Sequence, residues 1–261
     1  MLAKPFLKWV GGKRSILPEL LERLPEHYES YHEPFVGGGA LFFAINPQKA
    51  TLSDANPYLI NTYKAVRGDV HGLVERLALY EKLHSRDHYL ASRERLTSRP
   101  LSTTTAALFI YLNKTCFNGM YRVNKAGEYN VPMGDYKDPT ILDETTLRLA
   151  HKALQGVEIF HRDFSKIRPM KNAFYYFDPP YHKTFSGYTS GGFDDAKHEE
   201  LAKLCQNIND VGGYFMLSNS NTPFIQTLYK KHRVEQIAAS RSVSCSAKKR
   251  GKENELLVRN Y

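Results

Sequence analysis

Residues 173–182 read AFYYFDPPYH. Ala173 to Phe177 form an unbroken apolar and aromatic run of strand length, the pattern of a buried strand. Asp178 and two prolines then stop it, since proline has no N–H to add to a ladder. The fold must therefore hold a buried strand that ends on one carboxylate followed by stiff backbone. Asp and Pro are common turn residues, so one reading is a strand cap and a turn. The other is a site, because open α/β sheets bind ligands beyond the carboxyl ends of their strands.

Alternation of strands and helices surrounds this run. A short helix over 15–24 precedes YHEPFVGGGALFFAI (31–45), which begins as a strand, bends through three glycines and continues as a helix. ATLSD (50–54) reads as a strand and NPYLINTYKAV (56–66) as a helix, the rhythm of a parallel sheet. From 68 to 155 the rhythm changes. HGLVERLALYEKL, SRDHYLASRERL and TTTAALFIYLNK read as consecutive helices, and YRVNKAGEYNV (121–131) as a β-hairpin turning at Gly127. GVEIFHRDF (156–164) restores the strand rhythm. A helix at 195–209, a strand at 213–219, a helix near 222–231 and strands at 233–239 and 255–260 complete the sheet. Residues 1–67 and 156–261 thus form one α/β unit, and 68–155 is a helical insertion with a hairpin over about 118–133.

The 261 residues are 42% hydrophobic, enough to bury a proper core. No run approaches the roughly 18 apolar residues of a membrane helix, and MLAKPFLKWVGGK lacks a signal peptide's apolar region. Cys116, Cys205 and Cys245 form no CxxC pair. That argues against a disulfide framework, a structural zinc site and the zinc deaminases, and suits a reducing cytosol with no metal. Lys and Arg number 36 against 27 Asp and Glu, a net charge of +9. Such an excess favours a polyanionic partner, though a solvated basic surface is the plainer reading of charge alone.

KWVGGKRS (8–15) fails the phosphate-loop pattern, with Leu7 in place of its first Gly and Arg14 in place of Ser or Thr. Its glycines still let backbone approach a ligand, with Lys13 as a cation and Trp9 as an aromatic face. EPFVGGGA (33–40) joins a strand to a helix and exposes helix N-terminal amides. Phe42 stands where the dinucleotide fingerprint requires Gly, which argues against NAD. Glu33 is placed to meet a charged small molecule, and Asp54 ends the next strand, where an acid commonly grips a ribose hydroxyl. Each acid alone is an ordinary strand end. The glycine turn together with Asp54, about one βα unit later, points to a nucleoside-bearing cofactor.

The D-P-P-Y run suits one piece of chemistry. An aromatic exocyclic amine, as in adenine, is a poor nucleophile because its lone pair is delocalised into the ring. A carboxylate accepting one N–H and a backbone carbonyl accepting the other would localise that pair. The prolines fix the Pro179 carbonyl, and Tyr181 offers a ring on which a flipped-out base can stack. Catalysis would then be alignment, plus hydrogen bonding to the charge developing on the amine.

With these residues in view, the chain resembles the Dam-type (alpha-group) DNA adenine-N6 methyltransferases, along nearly its whole length and in the family's motif order. FLKWVGGK resembles the family's N-terminal motif for S-adenosylmethionine (AdoMet), EPFVGGGA its glycine-rich motif and LSDANPYLINTYK its ribose-binding segment. FIYLNKTCFNGMYRVNKAGEYNVPMGDYK resembles its DNA-reading hairpin and YFDPPY its catalytic motif. The resemblance implies a Rossmann-like α/β methyltransferase sheet with a helical target-recognition insertion. It sets Trp9, Lys13, Asp54 and Asp178 at cofactor positions, Phe35, Gly37 and Gly39 against the cofactor, and Asp163 and Phe164 at its adenine. Asp178, Pro179, Pro180 and Tyr181 match the catalytic set. Arg122 matches a guanine-reading arginine, Lys8 and Pro132 further base contacts, and Phe117 a wedge into the base stack. Asn118 matches a DNA contact and Met120 a contact to a thymine methyl.

The implied activity is methyl transfer to adenine N6 in double-stranded DNA, at GATC or a close relative, by a cytoplasmic monomer. Two alternatives stay open: the same chemistry on cytosine N4, against which Asp rather than Ser at 178 speaks, and a DNA-binding protein without catalysis. The loop HKTFSGYTSGGF (182–193) reads as a lid or a plain loop, and AKKRGK (247–252) as a phosphate contact or a solvated run.

Overall fold

A computed structural model describes residues 3–183, 193–240 and 252–261. Strands β1 (Ser30–Glu33), β2 (Ala50–Asp54), β3 (Glu158–His161), β4 (Ala173–Phe177), β5 (Tyr214–Ser220), β6 (Arg233–Ser240) and β7 (Lys252–Arg259) form one sheet in the order β3-β2-β1-β4-β5-β7-β6. The first five are parallel, and β7 runs antiparallel between β5 and β6. This is the mixed α/β, Rossmann-like sheet that the strand–helix alternation predicts. The apolar run 173–177 lies in the middle of it, hydrogen-bonded to β1 and β5, with all five residues buried.

Because side chains alternate along a strand, the sheet buries two different sets. Tyr31, Leu52, Phe174, Tyr176, Met216 and Leu257 face one core, shared with α2 (Ala40–Ile45) and α3 (Pro57–Gly68). Tyr175, Phe177, Phe215, Leu217 and Val258 face the other, under α8 (Asp195–Asp210) and α9 (Pro223–Leu228). Before β1, the short helix α1 (Leu17–Leu21) starts on Pro18 and adds buried Leu20 to the first core.

In the insertion, α4 (Val70–Lys82), α5 (Arg86–Leu96) and α6 (Thr103–Thr115) occupy the three helical stretches read from the sequence. Asp69, Ser85 and Ser102 cap them by accepting backbone N–H bonds. α6 is apolar nearly all round and is buried from Thr105 to Asn113, which makes it the hub of this bundle. Each of its Leu and Phe side chains contributes about 1.5–3 kcal/mol by burial. Leu73, Tyr89 and Leu108 belong to the same core as Tyr31 and Tyr63, so the insertion's hydrophobic core is continuous with that on one face of the sheet.

Two features differ from expectation. A further helix, α7 (Glu144–Ala153), is capped by Asp143, whose side chain accepts from Thr146 N. The expected hairpin is also shorter of ladder than the pattern suggests. Its arms meet at two isolated antiparallel bridges, Cys116–Met133 and Val123–Tyr129, rather than as paired strands. Backbone bonds from Asn124 N to Glu128 O, Asn130 N to Arg122 O and Phe117 N to Pro132 O also join the arms. Side chains add to them: Asn124 Oδ1 accepts from Ala126 N and Glu128 N, and Tyr89 Oη donates to Val131 O at 2.9 Å. Polar residues that bond their own turn compete with a ladder, and here they shorten it. Most of the loop 182–193, and residues 247–251 of the basic run, lie outside the described residues.

Candidate active site

Strand order reverses between β1 and β4, running outward through β2 and β3 on one side and through β5 on the other. Such a switch point opens a crevice beyond the carboxyl ends of the strands. The segments flanking it are the glycine turn after β1 and Asp178 after β4. Gly37 and Gly39 have φ of 45° and 67°. A Cβ on Gly37 would stand 2.6 Å from Trp9 Cδ1, and one on Gly39 2.7 Å from Tyr63 Oη. Tyr63 Oη in turn donates to Gly37 O at 3.1 Å. Left-handed backbone and lack of room both demand glycine at these positions.

Asp54, at the end of β2, braces the turn. Its Oδ2 accepts from Gly37 N at 3.2 Å and its Oδ1 from Asn56 N at 2.9 Å. Asn56 then caps α3 through Tyr58 N and Leu59 N. Across the switch point, Asp178 Oδ1 lies 2.7 Å from Lys13 Nζ, and Lys13 is almost wholly buried. The same ammonium bonds Gly11 O and stands 4.8 Å from the centre of the Tyr181 ring.

Burial pushes the Asp178 carboxyl up to about 6 against the pull of Lys13. It pushes Asp54 up to about 6 against the N–H groups of Asn56 and Gly37. Glu33 rises furthest, to about 8, from burial opposed by the 2.7 Å bond from Tyr31 Oη. The expectation that Glu33 meets a small molecule directly is corrected. It is 3% exposed and its carboxyl accepts from Tyr31 Oη inside the core. A site with three such acids is short of positive charge, and a cationic ligand would favour their ionised forms.

On the other face of the sheet edge, Phe35 packs against Phe164, Phe193 and Phe177 with ring centres 5.4, 5.8 and 6.4 Å away. Asp163 precedes Phe164, accepting from Ser165 N at 2.9 Å with Lys197 Nζ 4.0 Å off. Aromatic walls with a carboxylate at the rim suit a flat heteroaromatic ring carrying an amine. The turn after DPPY is tied down as well. His182 N donates to Asn219 Oδ1 at 3.0 Å, His182 O accepts from Ser220 Oγ at 2.7 Å, and the ring bonds Thr222 Oγ1 at 2.8 Å.

The insertion reaches this site through Asn113 on α6. Its Nδ2 donates to Lys8 O at 2.7 Å and to Gly119 O at 3.1 Å, while its Oδ1 accepts from Lys8 N at 2.9 Å. Trp9 stacks on Tyr121 at 6.5 Å and 17°. The turn Phe117–Gly119 is one 3₁₀ turn with Asn118 left-handed at φ 53°. Phe117 keeps 46% of its surface and donates its N–H to Pro132 O at 2.9 Å. Arg122 is half-buried and preset by Asn130, with Nε to Oδ1 at 2.7 Å and Nη2 to O at 3.0 Å. Lys8 Nζ stands 4.1 Å over the Tyr136 ring.

A family match decides what such a site belongs to. Residues 9–243 match the family described as D12 class N6 adenine-specific DNA methyltransferase. The chain belongs to that family. It is 40% identical to a type II methyltransferase, M.MjaIII, of Methanocaldococcus jannaschii, over all of both chains. It is 36% identical to a type II methyltransferase, M1.LlaDCHI, of Lactococcus lactis subsp. cremoris, over 99% of this chain and 95% of that one. A DNA adenine methylase of Haemophilus influenzae is 32% identical over 98% of this chain and 93% of its own.

In this methyltransferase the sequence-selected residues fall into three groups. Lys13, Asp178 and Tyr181 meet directly, with Pro179 and Pro180 between the last two. Trp9, Gly37 and Asp54 line the same face, whereas Phe35, Asp163 and Phe164 lie with the second core. Phe117, Asn118, Arg122 and Pro132 lie on the arm from the insertion, and Lys8, from the start of the chain, is tied to it through Asn113. Met120 is partly buried against the core instead of standing clear, and its carbonyl accepts from Tyr129 Oη at 3.2 Å. Sequence reasoning missed Asn56, Asn113, Phe193 and Asn219. Of these only Asn56 carried a local signal, as an Asn before Pro57 at a helix start. Among the described residues no group of His, Cys, Asp and Glu has metal-ligand geometry. No helix among them is long and apolar enough to cross a membrane.

Proposed function

We propose that this chain transfers a methyl group from AdoMet to N6 of an adenine flipped out of double-stranded DNA, within GATC or a closely related site. One observation carries the reading: at the switch point of the sheet, Lys13 touches both the Asp178 carboxyl and the Tyr181 ring. Asp178 accepts one hydrogen of the amine and the Pro179 carbonyl the other, which localises the lone pair, while Tyr181 stacks the base and Pro180 stiffens the approach. Lys13 keeps Asp178 available as an acceptor by favouring its ionised form. No strong base is required, because the amine's proton leaves to water after transfer.

AdoMet, when bound, supplies an electrophilic methyl group on a cationic sulfur. The residues fit such a ligand: the single Lys13 ammonium pairs with Asp178 while Asp54 and Glu33 are also buried nearby, so further positive charge is favoured, and aromatic faces suit both a sulfonium and an adenine. Trp9, Lys13, Gly37, Gly39, Asp54 and Asp178 would hold it on one side, and Phe35, Asp163 and Phe164 on the other. Residues 1–67 and 156–261 form the catalytic unit in this reading, and 68–155 the target-recognition unit. Arg122 reads guanine, Phe117 wedges into the stack, and Lys8, Asn118, Met120 and Pro132 contact the duplex. The chain acts as a monomer in the cytoplasm, and the type II names of two relatives favour a restriction–modification setting.

The test is to incubate plasmid with the purified chain and AdoMet, then locate modified bases by single-molecule sequencing. N6-methyladenine at GATC is the expected result. Methylation of adenine elsewhere would revise the target only, whereas N4-methylcytosine or unmodified adenine throughout would overturn the chemistry.

A further inference from the structure

We propose that Glu255, on β7, is a positioning residue that sets the ring of Tyr181 on which the target base stacks. The proposal rests on the function proposed above and deepens it. Two prolines fix the backbone before Tyr181 but leave its χ angles to be decided by contacts. Tyr181 Oη donates to Glu255 Oε2 at 2.7 Å. Glu255 is 8% exposed and lies within a three-strand ladder, opposite Ser220 of β5 and Ile237 of β6. Backbone pairing on both flanks fixes its Cα, and burial limits the freedom of the side chain that reaches Tyr181.

Lys13 bounds the ring from another direction, 4.8 Å from its centre, and is itself anchored 2.7 Å from Asp178. The ring is thus held at its hydroxyl by one strand and at its face by the cation that also touches the catalytic carboxyl. Burial drives the Tyr181 phenol well above its ordinary range, so it stays protonated and remains a donor. A ring held ready spares the ordering entropy of each base capture. Glu255 bonds Tyr181 and acts on Asp178 only through its charge, so the effect of its hydrogen bond belongs to base capture and kcat rather than to AdoMet affinity.

The test compares the full chain with Glu255→Ala, Glu255→Gln, Tyr181→Phe and the Glu255→Ala/Tyr181→Phe pair. Readouts are kcat, KM for DNA, affinity for a non-methylating AdoMet analogue, and emission of 2-aminopurine placed at the target adenine. Glu255→Ala should lower kcat about tenfold or more, the worth of one buried hydrogen bond, and leave analogue affinity within about twofold. Its 2-aminopurine emission in the ternary complex should depart from wild type. Glu255→Gln keeps an acceptor and should restore most of kcat. Tyr181→Phe should reproduce the loss, with nothing further lost in the pair.

Wild-type kcat and emission in Glu255→Ala, or losses that multiply in the pair, would overturn the proposal. Should Glu255→Ala not fold, the conservative variants decide: wild-type kcat in Tyr181→Phe, or a full loss in Glu255→Gln, overturns it. A wild-type chain that methylates no adenine counts against the underlying function. The emission comparison still judges Glu255, since it requires no turnover.

Discussion

Lys13 and Asp178 form a buried charge pair whose energetics translate directly into a pH profile. In the proposed reaction Asp178 accepts a hydrogen from the amine as the carboxylate, and burial pushes its carboxyl up to about 6. Since kcat/KM reports the groups of the free enzyme, it should rise with pH through about 6 and then level. Lys13 pulls the carboxyl down, so Lys13→Met should move this acid limb to higher pH; an unmoved limb would assign it to another group. Arg122 offers a second test at this scale. Its guanidinium is already oriented by Asn130, so Arg122→Ala should cost about 1–3 kcal/mol of discrimination at one base pair. Competition binding with duplexes changed at single positions measures it, and equal weakening for every sequence would demote Arg122 to a phosphate contact.

At the level of elements, the hub is α6. Asn113 sits near its end and joins the start of the chain to the arm turn by three hydrogen bonds. Asn113→Ala removes all three and strands Lys8 N and Gly119 O, so it should lower unfolding free energy by about 2–4 kcal/mol in urea titration. A change under about 0.5 kcal/mol would show that water replaces the amide. Nothing in TTTAALFIYLNKT announces this. A lone polar residue near a helix end reads as ordinary, and its partner Lys8 is 105 residues away. β4 was legible because a fully apolar run ended by Asp-Pro-Pro has few other interpretations. α7 escaped despite a local signal, since Asp143 followed by Thr146 is a cap and Leu147, Ala150 and Leu154 share a face. The hairpin was legible as a turn, but not how far side chains supplement its short ladder, because ladder and side-chain bonding give similar sequence patterns.

For the whole molecule, buried acids make stability fall as pH rises. A carboxyl raised in the folded chain gives stability that is full below its unfolded value and lost as pH passes its folded value. For Glu33 that window runs from about 4.5 to about 8. His32 and His198, pushed down to about 4 by burial, work in the opposite sense and lose stability as pH falls from 6.5 toward 4. Asp54 and Asp178, raised only to about 6, have lost most of their share by pH 6.5, so Glu33 dominates the window from 6.5 to 8. Glu33→Gln should flatten a decline of about 1.5–2 kcal/mol there, read by thermal melts without ligand. An undiminished decline would place it on other groups. The seven-strand sheet could be read from its apolar runs, but its order could not, because pairing between distant strands leaves no local mark.

That order has a consequence for biosynthesis. β7 is made after β5 and β6, yet it lies between them. Until residues 252–259 leave the ribosome, β5 presents an open edge beside an apolar core, and β6 has nothing to pair with. The hydroxyl of Tyr181 then also lacks its carboxyl. A nascent chain can collapse around α6 and the first five strands, but the Tyr181 hydroxyl gains its partner only when a strand arriving late fills the gap between β5 and β6.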